Sequence, residues 1–166
     1  MNNFQSLIDQ IIDIVSIFLI YILLLMIGLI ILTIFLRYFF SIGSIVIQEL
    51  IMYFHASIFM LGISYTYKEN SHVKIDIFYN KLSKKNKIIL SLIGDVLLII
   101  PVAVFIILIS FDMVSSSWNI LEGSSEAGGL NLVFILKSLI PLSGFLILLQ
   151  ALSVLFKNLK ALKNEY

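Results

Sequence analysis

Four apolar runs, at roughly residues 15–36, 45–67, 88–111 and 132–156, take up most of a 166-residue chain. Crossing a bilayer as a helix needs about 20 such residues, and each run is long enough. Inside lipid every backbone amide and carbonyl must find a partner within the protein, which makes helices the default for runs of this kind. Membrane-spanning strands would be about 10 residues long and alternate apolar with polar positions. These runs do not alternate. The composition agrees: 60% of residues are hydrophobic, 13% are charged, and mean hydropathy is +1.08. A soluble domain of this size would need more polar residues to cover its surface. The predicted fold class is an all-α integral membrane protein with four transmembrane helices. They form one four-helix domain over residues 1–166, with no internal repeat, linker or low-complexity segment.

The chain has no cysteine, which removes disulfide scaffolds, thiol redox chemistry and thiolate metal sites. A net charge of +1 gives no reason to expect a nucleic-acid partner. The first run reads as a retained helix, not a signal peptide. Asp9 and Asp13 precede it, no Lys or Arg does, and no small-x-small cleavage pattern follows.

Charge distribution sets the expected topology. The second connector holds Lys68, Lys74, Lys81, Lys84, Lys85 and Lys87, and the C-terminal tail holds Lys157, Lys160 and Lys163. The opposite side has Arg37, with Lys137 one turn into the last span. The positive-inside rule then predicts both termini in the cytoplasm. The expected protein is multi-pass, with the connector after the third span outside.

Short amphipathic segments are expected at the interface. Leu7, Ile8, Ile11 and Ile12 sit at helical spacing ahead of the first span. Arg37, Tyr38, Phe39 and Phe40 form an aromatic belt with a snorkelling cation, and residues 41–44 form a tight turn. In the second connector Val73, Ile75 and Ile77 alternate with Lys74 and Asp76. This pattern fits an extended piece or the start of an interfacial helix, facing anionic headgroups with its lysines. Pro101 should kink the third span.

Glu49 is the costliest residue, since a charge at mid-span costs roughly 2.5–3.5 kcal/mol and less near the ends. The favoured expectation is an ion pair with Arg37 or Lys137 at similar depth, the alternative a proton or cation site. Gln48 can hydrogen-bond to another helix. His55 shares a helical face with Gln48 and Gly62. A haem ligand is disfavoured because no second His lies at matching depth. Asp95 is expected near the start of its helix, with Lys84, Lys85 or Lys87 as partners. No Gly-x-Ser-x-Gly, His-Glu-x-x-His or phosphate-binding loop is present. Enzyme activity, a cofactor and a metal site are therefore not expected.

Three clusters resemble one family. Arg37-Tyr38 closes the first helix and Gln48-Glu49-Leu50 opens the second. Gly62 precedes His72-Val73-Lys74-Ile75-Asp76. Gly128-Gly129-Leu130 precedes Pro141-Leu142-Ser143-Gly144-Phe145 and Gln150. In this order the chain resembles the small membrane subunit (DctQ-like) of tripartite ATP-independent periplasmic (TRAP) transporters. Val46-Ile47 and Asn131 depart from the family pattern, which favours packing over chemistry for the Gln48-Glu49 pair.

The resemblance implies a scaffold that braces a large multi-span subunit and helps dock a periplasmic substrate-binding protein, for sodium-coupled uptake of an organic anion such as a carboxylate. Membrane lipids are the remaining partner. Candidate interface or structural residues are Arg37, Gln48, Glu49, His72, Asp76, Gly128, Gly129, Lys137, Pro141 and Gln150. His72 and Asp76, four apart, share a face and are expected to pin their connector. A proton-coupled exporter using Glu49 and a haem-carrying membrane anchor are the competing readings.

Overall fold

The computed structural model describes residues 3–69 and 82–164. All regular structure among them is helical. α1 runs Asn3–Phe40 and α2 runs Ile45–Lys68. The third span is built from α3 (Lys84–Gly94), a π turn (Asp95–Ile99) and α4 (Ile100–Asn119). α5 runs Val133–Asn164. Four stretches are long and apolar enough to cross a membrane: Gln5–Phe40, Ile45–Lys68, Lys85–Asn119 and Val133–Lys163.

The 38 residues of α1 extend about 57 Å at 1.5 Å per residue, well beyond a hydrocarbon core of about 30 Å. The expected interfacial lead-in is part of this one helix. Its first turns bury Gln5, Ile8 and Ile12 and leave Leu7 and Ile11 exposed. Ile8 and Ile12 join Leu19, Leu61 and Leu146 in the apolar core shared by α1, α2 and α5. Tertiary packing thus claims one face of a segment that hydropathy places outside the span.

α5 is the hub. It packs against α1, α2 and the third span, whereas α1 packs mainly on α2 and α4 mainly on α5. One third (33%) of the apolar stretch of α5 is buried, against 11% in each of the other spans. Small residues allow the α4–α5 crossing. Ala103, Ser110 and Ser117 are buried at seven-residue spacing on α4, and Gly144 of α5 lies against the Ala103 carbonyl, Ile106 and Ile107. Helix backbones approach closely where such residues meet. Two buried hydroxyls turn back to their own helices: Ser110 Oγ donates to the Ile106 carbonyl at 2.6 Å and Ser143 Oγ to the Ile140 carbonyl at 2.7 Å.

Two local features follow from sequence chemistry. Ser41 takes φ 55° and lets the Ile42 amide donate back to the Leu36 carbonyl at 3.1 Å, which ends α1. Ser44 then caps α2, its Oγ accepting from the Ile47 amide at 3.4 Å. Just before Pro101 the helix widens into a π turn. The Ile100 amide donates five residues back to the Asp95 carbonyl, and Pro101 starts the next α-helical turn, where a missing N–H is tolerated.

At the end of the bundle that carries both termini, polar side chains link all four spans. Lys68 pairs with Asp13, and its Nζ also donates to the Asp9 carbonyl at 3.2 Å. The Tyr67 hydroxyl donates to Asp95, and Asn158 Nδ2 donates to Ser91 Oγ at 3.1 Å. Asp95, expected in the first turns of its helix, meets Tyr67 at this end of the bundle. It lies eleven residues into the third span, where it opens the π turn and is buried.

Candidate functional site

The other end of the bundle is organised around Glu49, in the second turn of α2. Its two carboxylate oxygens take different donors from the connector between α4 and α5. One accepts from the Ser124 hydroxyl, and the other accepts from the Leu130 amide at 2.5 Å. Ser124 Oγ in turn accepts from the Glu126 amide at 3.0 Å, and the Ser124 amide donates to the Leu130 carbonyl at 2.9 Å. Residues 124–130 thus close into a small loop with a carboxylate at its mouth. The acid thus has hydrogen-bond donors on both oxygens without a cation.

Two glycines make the loop fit. Gly128 takes φ 80°, which L side chains rarely adopt. A Cβ on Gly129 would lie 2.5 Å from Ser124 Oγ and 2.7 Å from Glu49 Oε1. We expect Gly129→Ala to push the loop off the carboxylate, raising its proteolytic cleavage while leaving the spans folded. An unchanged cleavage rate would contradict the close seat.

Two further ties hold the connector. Lys137 of α5 donates to Glu122 at 2.5 Å, and the Val133 amide donates to the Glu122 carbonyl at 3.1 Å. Trp118 Nε1 donates to Ser138 Oγ at 2.8 Å, and the indole meets Phe134 edge-on at 4.7 Å. The Lys137 ammonium, and after it the Ser117 hydroxyl, hold Glu122 below the ordinary carboxyl value of 4.5. A lowered folded-state pKa means this clasp contributes fully above pH 4.5 and is lost as pH falls through the depressed value. Trp118 is the sole tryptophan and lies one turn away. Its emission should shift in an acid titration centred below pH 4.5, and Lys137→Met should move that midpoint upward.

The structure brings together Glu49, Gly128 and Gly129 as one cradle, with Lys137 supporting the same connector. The expected ion pair between Glu49 and a cation is not formed: Glu49 is held by a hydroxyl and an amide, and Lys137 serves Glu122. Arg37 is exposed in the last turn of α1, and Gln48 is exposed beside Glu49. Pro141 lies within α5, and Gln150 is buried further along it. His72 and Asp76 lie outside the described residues, and with them the pairing expected between the two. His55 is exposed, its ring tilted on Phe59 at 4.7 Å. Sequence reasoning missed the connector as the partner of Glu49. The available signal was a Ser-Gly-Gly-rich connector on the same side of the membrane as the acid.

Among the described residues, no three His, Cys, Asp or Glu side chains gather as a metal site. The polar side chains fasten helices and a connector to one another. These features define a multi-pass helical membrane protein whose polar side chains link helices and a connector. Residues 26–161 match the family described as tripartite ATP-independent periplasmic transporters, DctQ component. The chain belongs to that family and is a TRAP transporter small membrane subunit. No curated protein matches it.

Proposed function

We propose that this chain braces the large membrane subunit of a TRAP transporter and presents connector 120–132 to a periplasmic substrate-binding protein, in sodium-driven uptake of an organic anion. The lysine distribution supports a bacterial inner-membrane orientation with both termini in the cytoplasm, which puts this connector outside.

One observation carries the docking role. Leu121 adopts φ 46° at the end of α4, in a C-terminal cap where the Leu121 amide donates to the Trp118 carbonyl and the Glu122 amide to the Ser117 carbonyl. Glycine is the usual residue there, and a side chain costs about 1–2 kcal/mol. The strain holds Leu121 63% and Ile120 72% exposed, on a connector tied to three spans. A rigid platform with two projecting apolar side chains suits a docking contact for a soluble protein.

Glu49 sits under the connector, not in a cavity, which disfavours a proton-coupled exporter. His55 has no second described histidine to complete a haem site.

Leu121→Gly separates fold from function. We expect it to raise thermal stability slightly while lowering sodium-driven uptake in proteoliposomes containing the large subunit and the binding protein. Unchanged uptake would remove Leu121 from the docking surface. Uptake that is the same with and without the whole chain would overturn the brace.

A further inference from the structure

Gln48, Met52, His55, Phe59, Gly62 and Thr66 follow one another along α2 at steps of four and three residues. That is the spacing of a knobs-into-holes seam. Every member but Gly62 is exposed, while the opposite face of α2 buries Tyr53, Leu61 and Ser64. Alongside the half of the seam nearer the termini, α1 and α2 enclose an open groove of about 500 Å³. Leu19, Ile20 and Leu23 of α1 and Phe59 and Gly62 of α2 line it. At Gly62 an added Cβ would meet Leu19 Cδ1 alone, at 3.8 Å, so the groove floor is open to an approaching backbone.

Two polar side chains on this seam decide what covers it. His55 lies ten residues past the start of α2, about 15 Å along the helix and near the middle of a core about 30 Å thick. Phe59 covers one face of its ring and offers no acceptor or donor to the ring nitrogens. The Gln48 amide is likewise exposed. Lipid tails cannot hydrogen-bond the His55 ring, and leaving it unmet in hydrocarbon is costly, while Gln48 nearer the boundary offers a second polar contact. A helix carrying donors or acceptors at those two depths meets both, and heptad spacing suits a helix crossing at a shallow angle.

We propose that the α2 seam and its groove seat one transmembrane helix of the large TRAP subunit, a helix that presents hydrogen-bonding side chains opposite Gln48 and His55. This rests on the reading of the chain as a subunit working with that partner.

The absence of cysteine allows a direct test. Single variants M52C and F59C on the seam, and L108C on the exposed face of α4, would be co-expressed with the co-encoded large subunit. They would be labelled in membranes with a benzophenone maleimide and irradiated. Because all three positions are exposed, none of the variants should disturb folding. We expect adducts with the large subunit from M52C and F59C and only background from L108C. In detergent, H55L should weaken association about threefold, the size of one typical interhelical hydrogen bond. Adducts with a second copy of the chain, with lipid alone, or with the large subunit from L108C instead, would overturn the seam while leaving the subunit reading intact. Failure of the unirradiated proteins to co-purify would overturn the subunit reading itself, and the seam with it.

Discussion

Glu49→Ala should release connector 120–132 and cost about 3 kcal/mol, the upper end of the range for hydrogen bonds to a charged group. The carboxylate is the shared acceptor for the Ser124 hydroxyl and the Leu130 amide. Alanine leaves both donors facing an apolar side chain at a membrane boundary. Glu49→Gln should fall between the two: its amide oxygen can accept from Leu130, while its NH₂ meets the Ser124 hydroxyl, which must reorient. The order expected in thermal unfolding is therefore wild type, Gln, Ala. Cleavage of the connector by an added protease should rise in the same order. Sodium-driven uptake should fall with it, because a loosened connector no longer presents Leu121 and Ile120 in one place. If Glu49→Ala stayed within about 0.5 kcal/mol of wild type, as ordinary surface substitutions do, the cradle would not be what holds the connector.

The second large effect is expected at the α4–α5 crossing. An added Cβ on Gly144 would lie 3.0 Å from Ile107 Cγ1, 3.1 Å from the Ala103 carbonyl oxygen and 3.2 Å from Ile106 Cγ2. The two isoleucine side chains can give by a few tenths of an ångström. The carbonyl is backbone and moves only with its helix. Gly144→Ala should therefore be tolerated at a modest cost. Gly144→Val adds two methyl groups on the crowded side and should force α4 and α5 apart, for about 1–3 kcal/mol of overpacking. Because α5 also carries α1 and α2, the damage should reach the whole bundle. Unfolding in detergent with increasing dodecyl sulfate would measure it. Equal stability of the Ala and Val variants would mean the crossing is looser than these distances state.

Much of the architecture was legible from hydropathy alone. The second span was expected at residues 45–67 and runs Ile45–Lys68, and the turn at 41–44 is where it was read. Other boundaries moved for identifiable reasons. α1 starts at Asn3 because Ile8 and Ile12 find apolar partners, so the helix continues past the point where hydropathy fades. Where a kink was expected at Pro101, a π turn precedes the proline, its wider turn reassigning the hydrogen bonds that proline disturbs.

The polar residues were legible as a set but not as pairs. Glu49, Gly128, Gly129 and Lys137 were all singled out, yet Glu49 was matched to the nearest cations by depth. Depth is one coordinate. The other two, azimuth around each helix and the path of the connector, put Ser124 and Leu130 at the carboxylate and Lys137 at Glu122. Tyr67 and Asp95 meet in the same way, from spans whose helices hardly touch.

The sequence by itself determined that this chain lives in a membrane, that four helices cross it, where the lysines gather and which family it resembles. Each of these follows from a one-dimensional quantity: apolar run length, charge along the chain, the order of short motifs. Only the tertiary structure decided that α5 is the hub, that Glu49 holds a connector and not a cation, and that Gln48 and His55 are left on an outward seam. Helices in lipid gain little from hydrophobic burial against each other, so their arrangement is set by close packing at small residues and by a few hydrogen bonds. Those depend on how the helices cross.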